Sequence, residues 1–121
     1  MNPRTPPKST ARFRAAVDTS LLDWSGLFAR RFRQARERAG MTQEQIAVDA
    51  GIDEMSASAR MSQYENGKHL PRFQIAVRLA QALDVPVEFL YTPDDLTAEL
   101  LLLWHSMPEA KRLETITTLR L

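Results

Sequence analysis

The sequence predicts an all-α protein, with five short helices within residues 25–92 and a helical hairpin over residues 93–121. Apolar residues recur at spacings of three and four along most of the chain, and several of these runs are preceded by a hydroxyl residue with Gln, Glu or Asp three positions on. Nothing resembles a pair of alternating strands. At 121 residues, 44% hydrophobic and 26% charged, this is one domain's worth of ordinary globular material.

Residues 1–24 open with Pro3, Pro6 and Pro7 among Lys, Ser, Thr and Arg, and no sustained apolar period follows. This composition predicts a basic, disordered arm able to track phosphates. No apolar segment of secretory length follows either, which argues against a secretory signal; an organellar transit peptide shares the composition and stays as the alternative.

The first helix is signalled from about Ser25 by Phe28, Phe32, Ala35 and Ala39, with arginines filling the other faces, and Gly40 ends it. Thr42 and Gln45 form a capping-box signature for the second, whose inner face is Ile46, Ala47 and Ala50 and whose stop is Gly51. In the third, Ala57, Met61 and Tyr64 share one sector while Met55, Ala59, Ser62, Gln63 and Asn66 fall opposite. That outer face is small, polar and almost uncharged, unlike the Lys and Glu of an ordinary solvated face. Asn66 and Gly67 suit a left-handed cap, and Pro71 separates this helix from the fourth. There Phe73, Ala76, Leu79, Ala80 and Leu83 stand at core spacing. Pro86 should occupy or adjoin the first position of a fifth helix with Phe89 and Leu90 inward. For the hairpin, Thr92 with Asp95 and Ser106 with Glu109 read as two further capping boxes.

Charge is unevenly spread. Residues 1–40 hold nine Lys and Arg against three acids, a balance of +6, whereas residues 41–121 hold seven against twelve, a balance of −5. One end should attract polyanions. Absence of cysteine excludes disulfides, thiolate metal sites and cysteine nucleophiles, and fits the reducing cytoplasm where we expect the protein. The run LLLLW at 100–104 falls far short of the ~20 residues of a membrane helix. His69 and His105 lack the neighbours of a triad or metal site, and no glycine-rich phosphate loop exists, so neither an enzyme nor a cofactor or metal is expected.

Three blocks in order, LFARRFRQARERAGMTQEQIAVDAG, MSQYENGKHLP and FQIAVRLAQALDVPVEFLY, closely resemble the Cro/phage-repressor type helix-turn-helix family, also called the xenobiotic-response-element family. The resemblance covers roughly residues 27–91. It implies a repressor-like helix-turn-helix domain, followed here by the helical hairpin, and a regulator of transcription that binds double-stranded DNA with its third helix in the major groove. Base contacts are implied for Ser58, Ala59 and Gln63, with Ser62 in the same outward cluster. Phosphate contacts are implied for Thr42, Gln43, Arg60, Lys68 and Arg72. Arg36 and Glu65 should form an ion pair beneath the motif. About four extra residues stand between Gly51 and Tyr64; they either lengthen the third helix with Asp53 as cap or swell the turn before it with Ser56 as cap. A protein-interaction adaptor or antitoxin-like module on the same fold is the other reading, and salt-dependent DNA binding discriminates the two.

The hairpin carries more apolar side chains than one domain can cover, among them Leu100, Leu103, Trp104, Leu113 and Ile116. This excess predicts a homodimerisation element. The alternative is a monomer whose hairpin covers helices four and five.

Overall fold

Six α-helices and one 3₁₀ helix account for the fold in a computed structural model that describes residues 23–121, with no strand among the described residues. The arm therefore lies, up to residue 22, outside the described residues. Helix α1 (Trp24–Ala39) is capped by Asp23, whose carboxylate accepts from Gly26 N at 3.1 Å. Phe28, Phe32 and Ala35 are buried as their spacing requires, whereas Ala39 is exposed at the helix end. Gly40 turns the chain with φ 66°, and Met41 N reaches back to Arg36 O at 3.3 Å.

The capping box of α2 (Gln43–Asp49) is complete: Gln45 N donates to Thr42 Oγ1 at 3.1 Å and Thr42 N to Gln45 Oε1 at 2.9 Å. Helix α3 (Glu54–Glu65) begins behind Asp53, whose carboxylate accepts from Met55 N. The extra residues thus lengthen the helix, and Ser56 lies inside it. Helix α4 (Phe73–Leu83) buries Ala76, Leu79, Ala80 and Leu83. Phe73 departs from the expected core: in the first helical turn it lies beyond the core's edge, exposed, with its ring 6.3 Å from that of Tyr91. The fifth element is a 3₁₀ helix (Val87–Tyr91), a geometry common in short connectors, with Pro86 just before it and Phe89 and Leu90 buried.

Helices α5 (Asp95–Ser106) and α6 (Glu109–Leu119) follow in the place of the expected hairpin, but neither expected capping box forms. Thr92 donates its hydroxyl back to Glu88 O at 2.6 Å, and Asp94, a stronger acceptor, caps α5 through Thr97 N and Thr97 Oγ1 at 2.8 and 2.6 Å. Ser106 is still part of α5 and donates to Leu103 O, so α6 starts behind Pro108 without a side-chain cap. His105 is not isolated either: its Nε2 lies 3.0 Å from Asp84, which ends α4 in the left-handed conformation at φ 56°.

A buried side chain also ties the start of α5 to the domain. Arg31 is 2% exposed; its guanidinium lies 5.6 Å from the Phe89 ring centroid and donates to Thr92 O at 2.8 Å, Pro93 O at 3.2 Å and Gln34 Oε1 at 3.0 Å. It also pairs with Asp95 at 3.0 Å, but that carboxylate is 78% exposed and screened by water. The carbonyls should therefore carry the clamp. We expect Arg31→Ala to cost about 2–3 kcal/mol in urea unfolding, because a buried charged donor is lost from two carbonyls, and Asp95→Asn to cost under about 1 kcal/mol. Equal effects would show that the ion pair, not the carbonyls, holds α5.

The hydrogen bonds from Thr97 hold the Asp94 carboxyl below the usual carboxylate range. Its folded value being the lower one, the cap's contribution is complete above the unfolded carboxyl's value, about 3.9, and is lost as pH falls through the folded value. Carbon-detected NMR titration should find Asp94 titrating at lower pH than a free aspartate, and Thr97→Val should move it upward.

Candidate nucleic-acid interface

The presentation of α3 follows from what holds its inner side. Met61 and Ala57 are buried, and Tyr64 meets Phe28 edge-on at 6.5 Å between centroids. Ala47 on α2 is fully buried, and its single methyl lets the two helices approach closely. Glu65, at the last turn of α3, accepts from Arg36 Nε at 3.0 Å and also from Arg36 Nη2, while its second oxygen accepts from Gln43 Nε2. One buried carboxylate thus joins α1, α2 and α3.

With the inner sector so fixed, Ser58, Ala59 and Ser62 are exposed on the opposite face and Gln63 is half-buried beside them. The turn after α3 is tied to the same residue: Lys68 N and His69 N both donate to Gln63 O, at 3.0 and 3.3 Å. Asn66 Oδ1 also accepts from Lys68 N at 3.1 Å, and Gly67 supplies the φ of 80° that the turn needs. Lys68 is left exposed. An open groove between α3 and the start of α4 is lined by Arg60, Gln63, His69, Arg72 and Gln74 over an apolar floor that includes Pro71. The groove therefore gathers two guanidiniums, an imidazole and two amides with no carboxylate in its lining.

The other predicted residues are placed differently. Thr42 is exposed, and its Oγ1 accepts the capping hydrogen bond, which leaves its O–H as a donor. It borders a second hollow lined also by Glu44 and Asp49, whose charges disfavour an anion there. Gln43 is half-buried and its side-chain amide faces Glu65, so it acts first as part of the network under α3. On the hairpin, Leu100, Leu103 and Leu113 are exposed; Trp104 and Ile116 are half-buried, with the Arg112 guanidinium 5.7 Å from the Trp104 ring.

A family profile described as a helix-turn-helix domain matches residues 27–91. The chain belongs to this helix-turn-helix family. Among solved structures, the crystal structure of the transcriptional regulator BswR is similar, with 40% sequence identity and a TM-score of 0.71 over 76% of this chain and 91% of that one. A comparison with curated proteins finds no match. Within the family frame, the additions that the fold makes to the sequence-derived set are His69 and Gln74. His69 follows the end of α3 and Gln74 stands in the first turn of α4, and their position three and two residues from Arg72 was the available signal. Among the described residues no group of His, Asp and Glu is arranged to hold a metal ion, and no helix is long and apolar enough to cross a membrane.

The shared carboxylate makes a distinct stability prediction. Arg36→Ala should cost about 3 kcal/mol, because it leaves Glu65 buried with a neutral partner alone. Replacing both Arg36 and Glu65 by Met should cost less than either single change to Ala, since no charge is then stranded. Urea unfolding of the three variants measures this, and a double variant less stable than both singles would refute it.

Proposed function

We propose that this protein is a sequence-specific regulator of transcription of the Cro/phage-repressor type that binds double-stranded DNA in the cytoplasm, reading the major groove with α3. The observation that carries the reading is the contrast on one face: an uncharged strip of Ser58, Ala59, Ser62 and Gln63, flanked by the exposed cations Arg60, Lys68 and Arg72. Gln63 is suited to a bidentate pair with adenine and the Ala59 methyl to contact with a thymine methyl. Arg60, Lys68 and Arg72 take phosphates, with Thr42 and Gln43 contributing at the start of α2. The likeness to a transcriptional regulator over most of both chains supports the same reading. Repression is the simplest action for such a reading head, because occupancy of an operator itself excludes other proteins.

A homodimer completes the proposal. One small reading head spans a few base pairs, whereas a two-fold pair reads two half-sites about 34 Å apart. The exposed leucines of the hairpin supply the surface for it.

Selection of bound sequences from random duplexes tests the activity, and a steep fall of affinity with salt separates it from an adaptor role. Gln63→Ala should lose about 1–3 kcal/mol of discrimination at one base position, whereas Lys68→Ala should weaken all duplexes alike and reduce the salt slope by about 1. Equal losses on specific and random duplexes for Gln63→Ala would remove Gln63 from base recognition.

A further inference from the structure

The two histidines of the chain have opposite surroundings. His105 has a carboxylate beside it, Asp84 at 3.0 Å. His69 is exposed in the groove between α3 and the start of α4, whose lining includes Arg60 and Arg72 and holds no acid. Among the described residues neither arginine, nor the adjacent Lys68, is paired with a carboxylate. The elements around the imidazole agree in this. From α3 come Arg60 and the phenol of Tyr64, from the turn Lys68, and from the approach to α4 Arg72. Behind the turn, Gly67 faces Ser25 O and Gly26 of α1; the acid there, Asp23, accepts from Gly26 N and is absent from the groove lining. Glu65, at the end of α3, is turned beneath the helix toward Arg36 and Gln43.

The backbone that carries the imidazole is held by α3. His69 N and Lys68 N both donate to Gln63 O, and Gly67 has φ 80°, so moving this backbone away from the groove costs hydrogen bonds to the helix. A group of cations and donors with no resident acid is complementary to an anionic oxygen, which in the proposed complex is a phosphate of the duplex. Arginine and lysine side chains bring their charge to such a contact in advance. An imidazole ordinarily gives up its proton near pH 6.5, about the middle of the physiological range, and a phosphate beside it favours the protonated form.

We infer that His69 is a phosphate ligand in the DNA complex and takes up a proton when the duplex binds, which makes the affinity for DNA depend on pH. The inference rests on the DNA reading proposed above and adds to it one ligand residue and one proton. The neutral ring accepts H⁺ from solvent at its free nitrogen, and an N–H of the resulting imidazolium donates to a phosphate oxygen. Because the protonated form is favoured in the complex, the gain in affinity is complete below the range in which the free ring titrates. It is lost as pH rises through the value that holds in the complex.

The probe is the tightest duplex recovered by selection from random DNA, titrated with the full-length chain from about pH 8.5 to about pH 5.5 at several salt concentrations. For the natural chain, affinity should rise by up to about tenfold on acidification, and the slope of log affinity against log salt should steepen by about 0.9, one further counterion being released. His69→Gln should bind at the weaker, high-pH level throughout and His69→Lys at the tighter one, both without the pH-dependent change of slope. His105→Gln, outside the groove, should keep the natural profile. A flat profile for the natural chain, or one that His69→Gln leaves unchanged, overturns the inference while the DNA reading stands. Loss of the pH dependence in His69→Gln with a salt slope that never depended on pH overturns phosphate as the ligand. A chain that binds no duplex, or binds without regard to salt, overturns the DNA reading and the inference together.

Discussion

The orientation of α3 depends on one buried carboxylate. Glu65 cannot stay charged inside the protein without donors, and Arg36 from α1 and Gln43 from α2 are brought to it from different helices. Apolar packing alone is weakly directional, because Met61 and Ala57 could slide by part of a turn against Ile46 and Phe32 with modest loss. Hydrogen bonds to two oxygens of one carboxylate are not so tolerant. The outward direction of Ser58, Ala59, Ser62 and Gln63 is thus set from beneath, by residues that need make no contact with a ligand. Gln43 illustrates the economy: its side chain supports α3 while its backbone opens α2.

A second polar group organises the other end. Arg31 lies against the Phe89 ring and satisfies the carbonyls of Thr92 and Pro93, where the chain leaves the domain for α5. Those carbonyls precede a helix and have no ladder partner, so without Arg31 they would need water or another donor. The direction in which α5 departs is consequently fixed relative to α1. Since α1 also carries Arg36, both α3 and α5 are referred to one rigid element. In the two-fold dimer proposed above, such a common reference would keep the two α3 helices at a constant separation.

Most of the fold was legible because short-range physics decides it. The Thr42 and Gln45 box, the glycine after α1 and the three-four spacing of Phe28, Phe32 and Ala35 act over a few residues and survive into the structure. The misjudged places are those where two local solutions competed. Thr92 and Asp94 both precede α5, and the carboxylate takes the cap while the hydroxyl bonds backward. Ser106 resembles an opening cap because a proline and an acid follow it, yet α5 has not ended there. Phe73 fits the helical period of α4 but stands at its first residue, where the period no longer guarantees a neighbour. Arg31 could have been found: it lies three residues after Phe28 and four before Ala35, inside the apolar sector, and only its charge suggested solvent. The Arg36 and Glu65 partnership came from resemblance, since nothing in the spacing of residues 29 positions apart announces it. Of the candidate interface, the outward side of α3 at Ala59, Ser62 and Gln63 is readable from the helical wheel and Ser58 only from the resemblance, whereas the grouping of His69 and Gln74 with Arg60 needs the turn after α3 in three dimensions.

In the DNA complex proposed above, the charge pattern of the candidate interface separates affinity from discrimination. Cations at the edge of a face and none in its centre divide two tasks that a uniformly basic surface would confuse. Lys68, Arg60 and Arg72 can lose part of their hydration to phosphates of any sequence, giving affinity and orientation without discrimination. The centre must then supply groups that gain little from the wrong base. A lysine there would find an acceptor on many base pairs, whereas an amide needs a donor and an acceptor together, and a methyl gains only where another apolar group meets it. Gln63 and Ala59 are residues of that demanding kind. Because Gln63 also accepts two backbone amides at the turn that carries Lys68, the group suited to sequence and the group suited to phosphate are held in one short rigid unit. In the proposed complex a shift of the Lys68 backbone would carry the Gln63 backbone with it, which would couple register along the phosphates to register on the bases.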